Sequence, residues 1–265
     1  MSTNTDDAGK KTEGGTWEVI RVVIQALLIA FFVRTFFYQP FNIPSGSMIP
    51  TLRIGDYLFV SKLSYGYSKY TFSFSGPGSF GPMFKIQPFS FPGRVFFAAQ
   101  PERGDVAVFK LPSDNETDYI KRVIGLPGEK VQMIEGLLHI NGKPVGRRKV
   151  ENAPGTVPPG ARSRNVEVFT ETLPNGVEHL TYDYGWQPQD DTIEYVVPAG
   201  HFFMMGDNRD NSRDSRDPGV GYVPYENFVG RAEVIFFSIS PDGSFWQFWR
   251  WPQTIRWSRL FTSVD

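Results

Sequence analysis

Cysteine is absent from this chain. That removes disulfides, thiolate nucleophiles and Cys-based zinc sites together, without identifying a compartment. Histidine is scarce. His139, His179 and His201 make up the full set, and each sits in an ordinary structural or exposed context. Charge of one sign is lacking as well: 27 Lys and Arg face 28 Asp and Glu for a net charge of −1. No global basic field directs the chain to nucleic acid. Long apolar runs are missing too, with one exception near the N-terminus. What the chain does have is length and apolar content: 265 residues, 40% hydrophobic, enough for one large domain or a domain carrying an insertion. Its aromatic residues cluster rather than spread.

The single long apolar run extends from Val19 to Phe37 without Pro or Gly, broken only by Arg21, Gln25, Arg34 and Thr35. It matches the ~20 residues that a bilayer-spanning helix needs. Arg21 and Arg34 lie where long side chains reach the two interfaces, and Trp17, Phe37 and Tyr38 suit the headgroup level. A buried core helix or a helix lying flat on a membrane fits the same composition. A cleaved secretory signal does not: no small-x-small site follows, and bulky residues lead into Pro40. The run is therefore expected to be an uncleaved anchor. The polar residues 1–16 before it read as a disordered tail, and Lys10, Lys11 and Arg21 favour a cytoplasmic N-terminus. The expected plan is a cytoplasmic tail at 1–16, an anchor at 17–38, and an extracytoplasmic domain at 39–265.

The next stretch, Ile43-Pro44-Ser45-Gly46-Ser47-Met48-Ile49-Pro50-Thr51-Leu52, is shaped by its prolines and glycine. Proline fixes its own φ and biases the residue before it toward extended geometry, while glycine adopts angles closed to other residues. Such a rigid loop presents the hydroxyls of Ser45 and Ser47 at a defined angle, which suits a nucleophile that must stand clear of its backbone. An ordinary turn between strands has the same composition.

The remaining chain reads as β structure. Strand-like runs are Asp56–Leu63, Arg103–Lys110, Asp118–Gly128 with its closing Gly/Pro turn, short strands within Lys130–Val145 about a hairpin turn at Asn141-Gly142, Val166–Thr170, the apolar run from His201 into the acidic loop, and Ala232–Ile239. Residues from about 147 to 198 look like a smaller β region inserted in the first. Between Ser64 and Gln100, Phe72, Phe74, Phe80, Phe84, Phe89, Phe91, Phe96 and Phe97 recur among turn formers. Two structures fit them: a loop pair dipping Phe side chains into lipid, and a loop packed over the core. The C-terminal Phe245-Trp246-Gln247-Phe248-Trp249-Arg250-Trp251, with Arg256, Trp257 and Arg259, suits either a membrane interface or closure of the core.

Two charged features remain. In the strand Asp118–Ile124, side-chain alternation sends Lys121 and Arg122 to opposite faces. Taken alone, Lys121 reads first as an edge lysine with its ammonium in water. Gly206-Asp207-Asn208-Arg209-Asp210-Asn211-Ser212-Arg213-Asp214-Ser215-Arg216-Asp217 is dense in acids, but a calcium loop started at Asp210 puts Ser215 and Gly221 where Gly and Glu belong. The interleaved arginines nearly cancel the charge. An internal ion-pair network that fixes the loop's shape is the better account, and neither metal nor cofactor is expected. For a serine nucleophile without a suitably placed histidine, a buried lysine is the remaining base, because desolvation lowers an ammonium pKa from about 10.4 toward working pH.

These boxes resemble, in order, those of bacterial type I signal peptidases: Pro44-Ser45-Gly46-Ser47-Met48, Arg103-Gly104-Asp105-Val106, Tyr119-Ile120-Lys121-Arg122 and Gly206 to Arg216, all after an N-terminal anchor. The resemblance covers about Trp17 to Ile239. It implies an all-β catalytic core, membrane-anchored by one N-terminal transmembrane helix and carrying an inserted smaller β region. It implies Ser47 as nucleophile, Lys121 as general base, and Ser45 Oγ with the Ser47 N–H as oxyanion donors. By the same match Ser212 would hydrogen-bond and orient Lys121, while Arg122 with Asp207 and Asp214 with Arg216 would keep the shape. The residues matching the family's substrate cleft are Phe41, Ile43, Pro44, Met48, Leu52, Val108, Asp118, Tyr119 and Ile120. The implied reaction is removal of signal peptides after a small-x-small motif, through an acyl-enzyme, in the cytoplasmic membrane. The implied partners are secretory precursors, the lipid bilayer and secretion machinery. Another Ser–Lys processing peptidase, a self-cleaving repressor-type enzyme and an inactive anchored β module that binds secreted chains are the competing identities.

Overall fold

The structure, a computed structural model, describes residues 13–71, 93–96, 99–151, 166–243 and 246–264. The expectations for Phe72, Phe74, Phe80, Phe84, Phe89, Phe91, Phe97 and Phe245, and for the first 12 residues, fall outside these. Helix α1 spans Glu13–Phe36, so Glu13 to Thr16 belong to the helix rather than to the tail. Its Trp17–Phe36 portion is apolar on all sides, long enough to cross a bilayer, and almost wholly unburied by the rest of the chain. A helix apolar all round needs an apolar surrounding, and the described residues supply none here.

Fifteen strands follow among the described residues. They are β1 (Tyr38–Asn42), β2 (Asp56–Ser61), β3 (Val106–Lys110), β4 (Asp118–Gly125), β5 (Lys130–Ile134), β6 (Leu137–Ile140), β7 (Lys143–Pro144) and β8 (Gly146–Lys149). Then come β9 (Glu167–Thr172), β10 (Glu178–Asp183), β11 (Tyr195–Val196), β12 (His201–Met205), β13 (Val223–Pro224), β14 (Phe228–Ser238) and β15 (Thr262–Ser263). The large sheet runs β1-β2-β14-β3-β4-β12-β13, with β15 added on β14. Its paired neighbours are all antiparallel. β14 is its long spine, pairing with both β2 and β3 through register shifts that bend the strand.

The strands between β4 and β12 leave this sheet and pair among themselves, β8 to β10 in one small sheet and β5, β6, β7 and β11 in another. This departure begins just after β4, earlier than 147, because Lys130–Ile134 pairs with Leu137–Ile140 and not with the large sheet. The hairpin joining β6 to β7 has positive φ at Asn141 and Gly142 (53° and 73°), the geometry an Asn-Gly turn is chosen for.

Apolar side chains of β2, β3 and β14 pack with Met48 and Leu52 in one core cluster, while Phe109, Val123, Phe202 and Phe228 form a second. A third, around Ile124, Leu138 and Phe203, joins the large sheet to the strands outside it. Each such side chain contributes about 2 kcal/mol by leaving water. Most C-terminal aromatics do not close this core: Trp246 is 82% exposed, Phe248, Trp249 and Trp257 are also exposed, and only Trp251 among those described is half-buried, against Phe237 of β14.

Candidate active site

The loop between β1 and β2 carries Ser47. Met48 and Leu52 are fully buried in the core and nail the loop down, and a Leu52 N–H to Met48 C=O hydrogen bond of 2.8 Å tightens the turn between them. A second loop, after β12, holds it from the other side. The Asn208 backbone N–H donates to Ser47 C=O at 3.1 Å, and Asn208 Nδ2 donates to Gly46 C=O at 3.0 Å. Gly206 makes this approach possible, since a Cβ there would stand 2.5 Å from Ser47 O. The role of Asn208 is not readable from spacing, because the two loops meet only through the fold.

β4 brings Lys121 to the same place. Its Nζ donates to Ser47 Oγ at 2.8 Å and to Ile120 C=O at 2.9 Å. Lys121 is 3% exposed, and burial lowers its pKa to about 8 even though Asp214 and Asp207 pull the other way. Ser45 Oγ lies 3.4 Å from Ser47 Oγ. The neighbouring Arg122 points to the opposite face, fully buried, and grips Asp207 with two bonds of 2.9 Å while also donating to Gly104 C=O at 2.7 Å. Thr51 Oγ1 adds a 2.5 Å bond to Asp207, tying the serine loop to this pair. Burial pushes the Asp207 carboxyl up, but Arg122 and its other donors outweigh it and hold it below the ordinary range.

Asp214 and Arg216 form a second bidentate pair, both bonds 2.9 Å, and Asp214 also accepts the Gly206 N–H at 3.0 Å. A third buried pair was not expected: Arg209 holds Glu171 of β9 with bonds of 2.7 and 2.5 Å. His179 of β10 lies beside it, where burial pushes its pKa down to about 4, so it is neutral. These contacts fasten the small sheet β8–β10 to the loop behind Ser47.

Two expected placements are corrected. Ser212 makes no hydrogen bond to Lys121, whose ammonium is directed to Ser47 and Ile120. The Ser212 hydroxyl is buried without a bond of normal geometry, packed where a Gly206 Cβ would be, although Asp214 is near enough to draw some stabilisation from it. Met48 and Leu52 do not line the cleft, because their side chains point into the core behind its wall.

The cleft itself has a volume of about 570 Å³ and opens over Ser47 and Lys121. Phe41, Ile43, Pro44 and Ser45 line one part; Val108, Asp118, Tyr119 and Ile120 line another. Asn42, Gly46, Asn211 and Arg213 complete it. Asp118 is paired with Lys110 at 2.8 Å. Among the described residues no three His, Asp or Glu side chains converge as a cation site requires.

The family described as signal peptidase, peptidase S26, matches residues 16–237. Signal peptidase I of Rickettsia canadensis is 40% identical over 245 residues, covering 90% of this chain and 85% of that protein. Signal peptidase I of Rickettsia conorii is 41% identical over 242 residues, with 89% and 84% covered, and that of Rickettsia typhi is 40% identical over 254 residues, with 90% of each covered. A crystal structure of a signal peptidase I from Enterococcus faecalis is 27% identical and covers 50% of this chain and 97% of its own, but at a TM-score of 0.30 the superposition carries no argument. A match over most of the length, with relatives near 40% identity, places this chain in the signal peptidase I family of peptidase S26 hydrolases, which remove signal peptides from precursor proteins.

Proposed function

We propose that the chain cleaves precursors after a small-x-small site by a Ser–Lys dyad, through an acyl-enzyme. The observation that carries this is the 2.8 Å bond between Lys121 Nζ and Ser47 Oγ, made by a lysine whose burial lowers its pKa to about 8. At neutral pH about a tenth of such a lysine is already unprotonated, enough for a general base. Neutral Lys121 takes the Ser47 proton as Oγ attacks the scissile carbonyl. The oxyanion that forms is met by Ser45 Oγ and the Ser47 N–H. The Lys121 ammonium then gives its proton to the leaving amine, which departs with the mature chain. A water that Lys121 deprotonates then attacks the ester, the bond to Ser47 Oγ breaks, and Lys121 returns the proton to Oγ as the signal peptide leaves with a free carboxylate.

Phe41, Ile43, Val108 and Ile120 supply apolar walls to the cleft. Such walls admit Ala and reject larger side chains by overlap, a discrimination of about 1–3 kcal/mol per methylene-sized change. Helix α1 is proposed to cross the cytoplasmic membrane, with the β domain on the extracytoplasmic side, where precursors arrive from the secretion machinery. The exposed Trp246, Trp249 and Trp257 suit contact with the headgroup region of the bilayer. The strands from β5 to β11 are proposed as a smaller region carried by the catalytic core.

The test is cleavage of precursors that differ only at the two small positions, with the enzyme in detergent micelles. Ala at both should give the fastest turnover, and Leu at either should slow it by about a hundredfold. Equal rates for Ala and Leu would overturn the proposed specificity.

A further inference from the structure

Lys62 takes no part in the mechanism, yet it is 2% exposed and its ammonium meets no carboxylate among the described residues. Its Nζ donates instead to two backbone carbonyls, Thr35 at 3.2 Å and Thr71 at 2.8 Å. Thr35 is in the last turn of α1, where carbonyls have no partner inside the helix. The next carbonyl, Phe36, accepts a 2.5 Å bond from Tyr67 OH, and the one after it, Phe37, accepts the Lys62 backbone N–H at 2.9 Å. Three successive carbonyls at the end of the helix are thus held by one short stretch of the β domain. Burial, with Arg34 nearby, lowers the Lys62 pKa to about 8. The negative end of the helix dipole favours a cation at this position. A simple tether between helix and strand needs no buried cation, and a desolvated ammonium is a costly way to hold one.

We propose that Lys62 and Tyr67 lock the anchor helix to the catalytic domain as a rigid joint, fixing the height and tilt at which Ser47 meets a membrane-inserted precursor. Both are positioning residues, and the proposal rests on the membrane-anchor reading above. It separates two substrate classes. A precursor held in the bilayer must be met at a fixed height, whereas a short soluble peptide reaches the cleft at any tilt.

The chain lacks cysteine, so spin labels at Ala26→Cys and Ser113→Cys report the helix-to-domain distance without background. The full chain is compared with Lys62→Met and Tyr67→Phe, in detergent and in vesicles. The distance distribution should be narrow in the parent and broad in both variants. Cleavage of a membrane-inserted precursor should fall about tenfold in Lys62→Met, the weight of one charge-assisted hydrogen bond, and about fivefold in Tyr67→Phe, the weight of a neutral one, while cleavage of a short soluble peptide with the same site stays within about twofold. Unchanged distributions, or equal loss on both substrates in a variant that still melts cooperatively near the parent's Tm, would overturn the joint. If Lys62→Met shows no cooperative thermal melt it has not folded, and Tyr67→Phe, which removes one hydroxyl, then decides alone. Flotation with vesicles tests the anchor separately: a parent chain that does not float overturns that reading and this one with it, while the widths in detergent bear on the joint alone.

Discussion

Lys121 is 3% exposed, and burial takes its pKa from 10.5 to about 8, so the folded chain holds this ammonium less well than the unfolded chain does. At about 1.36 kcal/mol per unit, the shift amounts to roughly 3 kcal/mol of stability given up wherever the lysine is charged in both states. Lys121→Met keeps the volume and removes the charge. It also removes the bonds to Ser47 Oγ and Ile120 C=O, together worth about 2 kcal/mol, so a net stabilisation of about 1 kcal/mol is expected near pH 6. For a chain of this size that is roughly 2–4 °C in Tm. The sign reverses with pH in a defined way. Between about pH 8 and 10.5 the unfolded chain binds the proton and the folded chain does not, so the parent gains stability as pH rises until Met becomes the less stable of the two. Lys62 titrates in the same range in both proteins and cancels from the difference. Thermal melts of both proteins in detergent across this range measure it. A variant that melts lower near pH 6, or a gap that does not change with pH, would refute the reasoning.

With Lys121 as the proposed base, kcat/KM should climb about tenfold per pH unit below its pKa of about 8 and level off above it, as read by initial rates on a precursor. Asp207→Asn leaves the fully buried Arg122 without its counter-charge and should lower stability by about 3–5 kcal/mol in thermal or denaturant melts. Gly206→Ala puts a methyl 2.5 Å from both Ser47 O and Ser212 Cβ, so the serine loop must shift. Turnover should fall by roughly a hundredfold, with KM changed less, in steady-state kinetics.

Local patterns made much of the fold legible. The Pro- and Gly-free apolar run became α1, the Asn141-Gly142 pair became a hairpin turn, and the alternation in Asp118–Ile124 separated Lys121 from Arg122 in the sense observed. Illegible features depend on contacts distant in sequence. Met48 and Leu52 flank a loop whose other face is a cleft, and nothing local says that their side chains take the core side. Arg209 and Glu171 are separated by 38 residues and pair only because β9 packs against the loop after β12. Sequence spacing likewise gives Lys121 no preference for Ser47 over Ser212; the backbone fold of the Gly206 turn leaves Ser212 packed aside. The exposed C-terminal aromatics could have been core residues by composition, and only the completed sheet, closed without them, turns them outward.

The most direct measurement is cleavage of a precursor carrying an Ala-x-Ala site by the purified chain in detergent, beside Ser47→Ala and Lys121→Met. Turnover by the parent chain and none above background in either variant is the predicted result. Full activity in Lys121→Met would contradict the assignment of the base, and full activity in Ser47→Ala would contradict the nucleophile.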